Sequence, residues 1–317
     1  MILSLALIIL GFIGLIYGAN WLVDGASSLA KKNKVSDLVI GLTIVAFGTS
    51  APELVVNSVA SADGLSDIVM GNIIGSNNFN LFIILGIACL VYPISVQSSI
   101  AVREIPISLI IALIVMAFAN DFLLQSGGGI SRWEAAVMLV LFAGFLYYIF
   151  KQLKNERPEE INYIPKSNPK IFALIVLGFA GLIIGGKLVV DNAITIAADL
   201  GVSQKIIGLT IIAAGTSLPE LVTSVVAALK KNSDIAIGNV IGSNIFNILL
   251  ILPISAMINP ITFNPNFNQD IWILIGGTAF LILAIAFAKV KRVNRWQGAL
   301  LLSFYCVYTT YLVSKEL

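Results

Sequence analysis

The sequence holds 317 residues, 58% hydrophobic and only 11% charged, with a formal net charge of +2 and a mean hydropathy of +0.97. That is too little charge to coat a soluble protein of this size, so an integral membrane protein without a separate soluble domain is predicted. There is no histidine, which excludes His-dependent catalytic triads, His-containing zinc sites and imidazole proton relays.

Taken in order, ten apolar segments of spanning length lie near 2–23, 37–61, 67–92, 100–119, 133–150, 170–190, 204–229, 234–258, 269–288 and 296–314. Residues 1–17 carry neither a basic leader nor a small-residue cleavage site and read as a retained first span. Cys89 and Cys306 both fall in spans, so no disulfide framework is implied. The longest polar connection, 151–169, contains Arg157-Pro158-Glu159-Glu160 and reads as a solvated cytoplasmic linker. It divides the chain into a five-span unit at 1–150 and a second at 170–317.

The two units are copies. Residues 41–80 and 208–247 are identical at about 25 of 40 positions without a gap, far beyond what shared composition produces. Gly11, Gly14, Gly18 and Asp24 recur as Gly178, Gly181, Gly185 and Asp191, and Pro93 recurs as Pro260. Five spans per copy force the second copy into the membrane the opposite way up, which is inverted-repeat topology. With the N-terminus outside, 15 of the 19 Lys and Arg fall on the cytoplasmic side, as the positive-inside rule requires. The expectation is an all-α, multi-pass protein of the cell membrane with ten transmembrane helices in two inverted five-helix repeats and both termini extracellular.

The repeat carries Gly48-Thr49-Ser50-Ala51-Pro52-Glu53 and Gly215-Thr216-Ser217-Leu218-Pro219-Glu220. Glu53 and Glu220 lie inside spans two and seven, where an ionised carboxylate costs roughly 2.5 to 3.5 kcal/mol on insertion scales. Two such groups need cations. Pro52 and Pro219 have no N–H, so each predicts a broken helix and loosened carbonyls at Gly48 and Thr49, and at Gly215 and Thr216. Such oxygens suit hard cations such as Na⁺ or Ca²⁺. Thr49 and Ser50 precede Glu53 by four and three residues and are expected on its face, with Thr216, Ser217 and Glu220 repeating the pattern.

Spans three and eight add stripes spaced by four: Asn72, Ser76 and Asn80, and Asn239, Ser243 and Asn247. These can ligate cations or bond the glutamates. Beside Gly71, Gly75, Gly238 and Gly242 they also suit close helix packing, and for Asn72 and Asn239 both readings stand. Asp67 and Asp234 read as helix caps. Asp24 and Asp191 lie near the ends of spans one and six, where interfacial solvation and a gating role are both open.

These paired motifs, each followed by Gly-Asn-x-Ile-Gly-Ser-Asn, resemble the alpha repeats of the sodium/calcium exchanger family within the cation/calcium antiporter superfamily, over nearly the whole chain. The resemblance implies an exchanger whose spans two, three, seven and eight build the ion site and whose spans one and six slide across it. Carried over by position, it implies Glu53 and Glu220 as main ligands and the Thr49 and Thr216 carbonyls and Ser50 and Ser217 side chains on the ions. Backbone oxygens of Ala46 and Ala213 would join them, with Ser76, Ser243, Asn80 and Asn247 completing the cluster. Some members have aspartate where Asn247 stands, and in the potassium-dependent branch that residue is associated with K⁺ transport. Asparagine here argues for K⁺ independence.

The expected function is therefore Na⁺/Ca²⁺ antiport by alternating access, with Na⁺ and Ca²⁺ as substrates and the lipid bilayer as surroundings. No enzyme activity, cofactor, nucleic acid or obligatory protein partner is expected. A proton/calcium antiporter, in which the glutamates titrate, is the alternative. An intramembrane hydrolase using paired carboxylates or Ser50 and Ser217 is more distant, since those serines lack a histidine or an obvious base lysine. A non-transporting scaffold gives no account of the two acids.

Overall fold

The computed structural model describes residues 2–96, 103–121, 128–155, 166–200, 213–288 and 290–316. Apolar sequence in lipid must satisfy its backbone internally, and helices do so. The first is α1, Ile2–Asn33. After Ser36, whose hydroxyl accepts the Val39 N–H, comes α2, Asp37–Thr49, containing a π-helical turn at Gly41–Val45. The chain breaks at Ser50 and continues as α3, Ala51–Ala62, bent 46° from α2. Next is α4, Ser66–Val91, with a second π turn at Phe79–Ile84.

A two-residue strand β1, Ile94–Ser95, precedes α5, Ile105–Ala119. Strand β2, Gly129–Ile130, leads into α6, Arg132–Asn155. The second half runs α7, Asn168–Asp199, then α8, Ala213–Thr216, and α9, Leu218–Leu229. It continues with α10, Ser233–Ile258, which has its own π turn at Asn247–Ile251, and strand β3, Ile261–Thr262. Helix α11, Asn268–Ala286, strand β4, Arg292–Val293, and α12, Arg295–Glu316, complete it.

Six helical stretches among the described residues are long and apolar enough to cross a bilayer, and the bent pair α2–α3 makes a seventh. Helices α5 and α9 are apolar but shorter. The start of the expected fourth span, most of the 151–169 linker and residues 204–212 of the expected seventh span lie outside the described residues.

The core sits around α4 and α10, whose spanning windows are 72% and 94% buried, against 28% for α1 and α7. On α1, Ile9, Leu10 and Phe12 stay exposed, as a lipid-facing surface requires. Helices α1 and α7 instead pack on each other, antiparallel, through Gly11 against Gly185, Gly14 against Gly181 and Gly18 against Gly178. A Cβ on Gly18 would lie 2.7 Å from the Leu182 nitrogen and 2.8 Å from the Gly178 carbonyl oxygen. Only glycine lets the two backbones approach so closely.

Two short antiparallel ribbons clip distant parts of the chain together: β1 with β4 (Ile94 opposite Val293) and β2 with β3 (Ile130 opposite Ile261). Arg132 donates to the Met257 and Ile258 carbonyls and Arg295 to the Val91 carbonyl, so the start of α6 holds the end of α10 and the start of α12 holds the end of α4.

Two local expectations are corrected. Helices α4 and α10 begin at Ser66 and Ser233, so Asp67 and Asp234 fall within the first turn. Asn232 caps α10, and the carboxylates complement the positive end of each helix. Helices α1 and α7 run well past Asp24 and Asp191, which are exposed mid-helix residues rather than terminal ones.

Candidate functional site

Each Gly-Thr-Ser-x-Pro-Glu segment folds as a short helix, a break and a new helix. Ser50 (φ −83°, ψ 7°) and Ser217 (φ −91°, ψ 9°) adopt the same non-helical conformation, and Pro52 and Pro219 occupy the first turn of the helices that follow. Proline is tolerated there because first-turn N–H groups have no helical acceptor. The break therefore sets Glu53 and Glu220 in the first turns of α3 and α9, at the positive ends of those helices. Both side chains are 1% exposed.

The hydroxyl of Ser50 donates to Glu220 Oε1 (2.8 Å), with Ser243 Oγ 3.1 Å away. The hydroxyl of Ser217 donates to Glu53 Oε1 (3.2 Å), with Ser76 Oγ 3.2 Å away. This corrects the same-face expectation. Each glutamate is served by the serine of the other repeat, because the break at Ser50 and Ser217 turns those residues away from the helix that follows and across the interface.

A second layer repeats the exchange. Thr49 Oγ1 donates to Asn239 Oδ1 (3.0 Å), and Asn72 Nδ2 approaches Thr216 Oγ1 (3.4 Å). Asn239 also donates to the Glu220 carbonyl and Ser224 Oγ, while Asn57 donates to the Glu53 carbonyl and Asn72 Oδ1. Asn72 and Asn239 thus link helices, in line with the packing reading. Deeper in the core, Asn80 donates to Asn244 Oδ1 (3.1 Å) and Asn247 to Asn77 Oδ1 (3.0 Å). Asn77 and Asn244 also bond each other's backbone carbonyls.

Of the buried side-chain atoms without hydrogen-bond partners among the described residues, four belong to residues expected at the site: Glu53 Oε2, Glu220 Oε2, Asn80 Oδ1 and Asn247 Oδ1. All four are buried acceptors, and neither glutamate has a salt-bridge partner among the described residues. Removing a charge from water costs several kcal/mol per ion, even after relaxation. Buried carboxylate and amide oxygens that face no donor are chemically suited to a hard cation.

Every residue expected at the site is accounted for. Glu53, Glu220, Ser50, Ser217, Ser76 and Ser243 meet in two bonded trios; Thr49, Thr216, Asn80 and Asn247 lie in the adjoining layers. Ala46 is fully buried, and its carbonyl accepts the Ser50 N–H at 3.0 Å. Ala213 begins α8, and its side chain lies outside the described residues.

Four buttressing residues were not anticipated: Asn57, Ser224, Asn77 and Asn244. All are polar residues within spans, and each pair is related by the repeat, which is the signal that could have found them. Asn78 has no such signal. Its counterpart is Ile245, yet it is buried and donates to the Asp270 carbonyl (3.0 Å). A separate cleft of about 720 Å³, lined by Asp24, Ser27, Lys31, Asp37 and Lys230 among others, holds neither glutamate.

A family model described as sodium/calcium exchanger protein matches residues 3–151 and 170–314, leaving out only the polar connection and the extreme ends. The chain is 38% identical to CaxA of Alkalimonas amylolytica over 99% of its own length and 100% of that protein's. It is 33% identical to the sodium/calcium exchanger MaX1 of Methanosarcina acetivorans, covering 96% of this chain and 97% of that one. Among solved structures, the sodium-calcium exchanger NCX_Mj soaked with Na⁺ and Ca²⁺ superposes with a TM-score of 0.83 at 33% identity, covering 98% of both chains.

Proposed function

The chain belongs to the sodium/calcium exchanger family, so it is a multi-pass membrane antiporter of Ca²⁺ and a second cation rather than an enzyme, and we propose that the second cation is Na⁺, without a requirement for K⁺. The observation that carries this reading is the pair of buried carboxylates, Glu53 and Glu220, each with one oxygen facing no donor. Each is completed by a serine from the opposite repeat.

In this reading Glu53, Glu220, Ser50, Ser217, Thr49, Thr216, Ser76, Ser243, Asn80 and Asn247, with backbone oxygens at Ala46 and Ala213, hold the transported ions. Two carboxylates carry about −2 when ionised, and moving them uncompensated between the two sides is costly. One Ca²⁺, or more than one Na⁺, compensates them. Because the ions share oxygens they exclude each other, and only occupied sites switch access. Asn247 supports K⁺ independence, since it matches Asn80 and leaves the site without a third acid.

The reading includes ten transmembrane helices in two inverted repeats, divided as 1–150, 151–169 and 170–317. Support comes from bonds that recur with the halves exchanged: Ser50 to Glu220 against Ser217 to Glu53, and β1–β4 against β3–β2. The antiparallel packing of the equivalent helices α1 and α7 agrees with it. The lysine and arginine distribution supports a cell-membrane orientation with both termini outside.

The deciding experiment is Ca²⁺ uptake into proteoliposomes with Na⁺, K⁺ and proton gradients imposed one at a time. Uptake driven by the Na⁺ gradient alone is expected. Uptake driven by a pH gradient without Na⁺ would replace this reading with proton/calcium exchange.

A further inference from the structure

Helices α1 and α7 are equivalent in the repeat, yet they sit unequally on the core. Helix α1 runs along α9, and Lys230, just beyond α9, donates to Asp24 Oδ1 (2.8 Å) and to the Asn20 carbonyl (3.0 Å). Helix α7 makes no comparable contact with α3. It covers both helix breaks instead: a Cβ on Gly48 would lie 2.0 Å from the Phe179 ring, and one on Gly215 2.4 Å from Val190. Phe12, the counterpart of Phe179, is exposed.

An unequal arrangement of two equivalent halves has a counterpart with the halves exchanged, built from the same contacts. Shifting by the repeat offset of 167, the difference between Glu53 and Glu220, carries Lys230, Asp24 and Asn20 onto Asp63, Asp191 and Lys187. The side chains do not carry the same charges.

Resting on the exchange reading, we propose that two charge latches of unequal composition close the two ends of the core. Lys230 on Asp24 is the latch engaged in this structure, and Lys187 clasping Asp63 is the latch of the alternate state. At the first end the cation belongs to the core and the anion to the moving helix; at the second these roles are reversed.

In the present structure the second latch is undone. Lys187 pairs with Asp191 on its own helix at 3.1 Å, and Asp63 is exposed with no ionic partner among the described residues. The first trio, Asn20, Asp24 and Lys230, is neutral. The second, Asp63, Lys187 and Asp191, carries a net −1, so its lysine is divided between two carboxylates. That excess negative charge weakens the second latch and favours the state seen here, with the first latch engaged.

The test uses the full chain in proteoliposomes, with Cys89→Ser and Cys306→Ser removing its own thiols. Asp63→Cys with Lys187→Cys, and separately Asp24→Cys with Lys230→Cys, are treated with a short bifunctional thiol reagent. Both pairs are expected to link, and each link should block Na⁺-driven Ca²⁺ uptake. Adding Lys230→Gln to the 63/187 pair should speed its linking about two- to fivefold, the population shift expected for losing one partly exposed ion pair. Linking at 24/230 without linking at 63/187 in protein that transports overturns the latch. So does a 63/187 rate that Lys230→Gln leaves unchanged. Absence of Na⁺-driven uptake in the wild-type protein refutes the exchange reading instead, and the two failures are thereby told apart.

Discussion

Replacing Glu53 by glutamine removes one of the two buried negative charges while keeping the side chain's size. In the structure Glu53 Oε1 accepts from Ser217 and Oε2 faces no donor. The variant thus keeps the bonded oxygen and exchanges the bare one for an NH₂, which cannot ligate a cation. Breaking a buried ion pair by removing one partner costs about 3 to 5 kcal/mol, which corresponds to roughly 100- to 4,000-fold weaker Ca²⁺ binding at 1.4 kcal/mol per factor of ten. Without Ca²⁺ the effects on folding oppose each other. Loss of a buried charge stabilises, and an unsatisfied NH₂ costs about 1 to 3 kcal/mol. The ion-free protein is therefore expected to stay folded with little change in Tm. At a Ca²⁺ concentration 100-fold above the wild-type Kd, the wild type gains about 2.7 kcal/mol of stability, whereas a variant binding 100-fold more weakly gains about 0.4 kcal/mol. The assay is paired: thermal unfolding with and without Ca²⁺, and Na⁺-driven Ca²⁺ uptake in proteoliposomes. A Glu53→Gln protein with wild-type uptake and a wild-type Ca²⁺-dependent Tm shift would refute the assignment of this carboxylate to the ion.

Ser217→Ala should weaken Ca²⁺ binding about 10-fold or more by stripping Glu53 of its donor, since a hydrogen bond to a charged group contributes about 1.5 to 3 kcal/mol; equilibrium binding of Ca²⁺ reads it, and an effect matching that of an exposed serine would refute the cross-repeat bond. Gly18→Leu drives a side chain into the Leu182 and Gly178 backbone, where even a Cβ meets atoms at 2.7 and 2.8 Å, so α1 and α7 must separate. Uptake is expected to fall at least tenfold while Ca²⁺ binding by the folded protein persists, because the glycine touches neither glutamate. Asn247→Asp adds a third carboxylate beside a buried oxygen that already lacks a donor. It is expected to make uptake respond to K⁺, and uptake that stays indifferent to K⁺ would show that this position does not govern ion choice.

Much of the site was legible because buried acids in apolar spans are expensive and a gapless duplication makes their neighbours visible. Glu53, Glu220 and the stripe residues follow from that reasoning. The pairing between repeats was not legible. Spacing along a continuous helix puts Ser50 on the face of Glu53, and no pattern in the residues states how far the break at Ser50 turns the chain. The π-helical turns at Phe79–Ile84 and Asn247–Ile251 were missed for a related reason. Both lie in runs of apolar residues that fit an α-helical or π-helical period equally well, yet they begin beside or at the asparagines whose direction they set. The length of α1 beyond residue 23 was hidden by Asp24, which hydropathy reads as an end. The structure continues the helix, burying Ala26 and Ala30 on one side and leaving the acid exposed on the other.

The exchange of partners between repeats bears on how such a site can be switched. Were Ser50 to serve Glu53, each repeat would carry a self-contained half-site, and the halves could fill and empty separately. With Ser50 on Glu220 and Ser217 on Glu53, displacing either broken helix disturbs both carboxylates together. The rigid contact of α4 with α10, fastened by Asn77 and Asn244 on each other's carbonyls, opposes any such displacement. The inner helices are thus coupled in composition and resistant to moving apart. On the proposed function, the layer that moves would be the α1–α7 pair, whose two helices meet through glycines. On the same proposal, access to the ions would change by moving that pair over an intact site, and the free energy of ion binding would not be spent on rebuilding the site at each turnover.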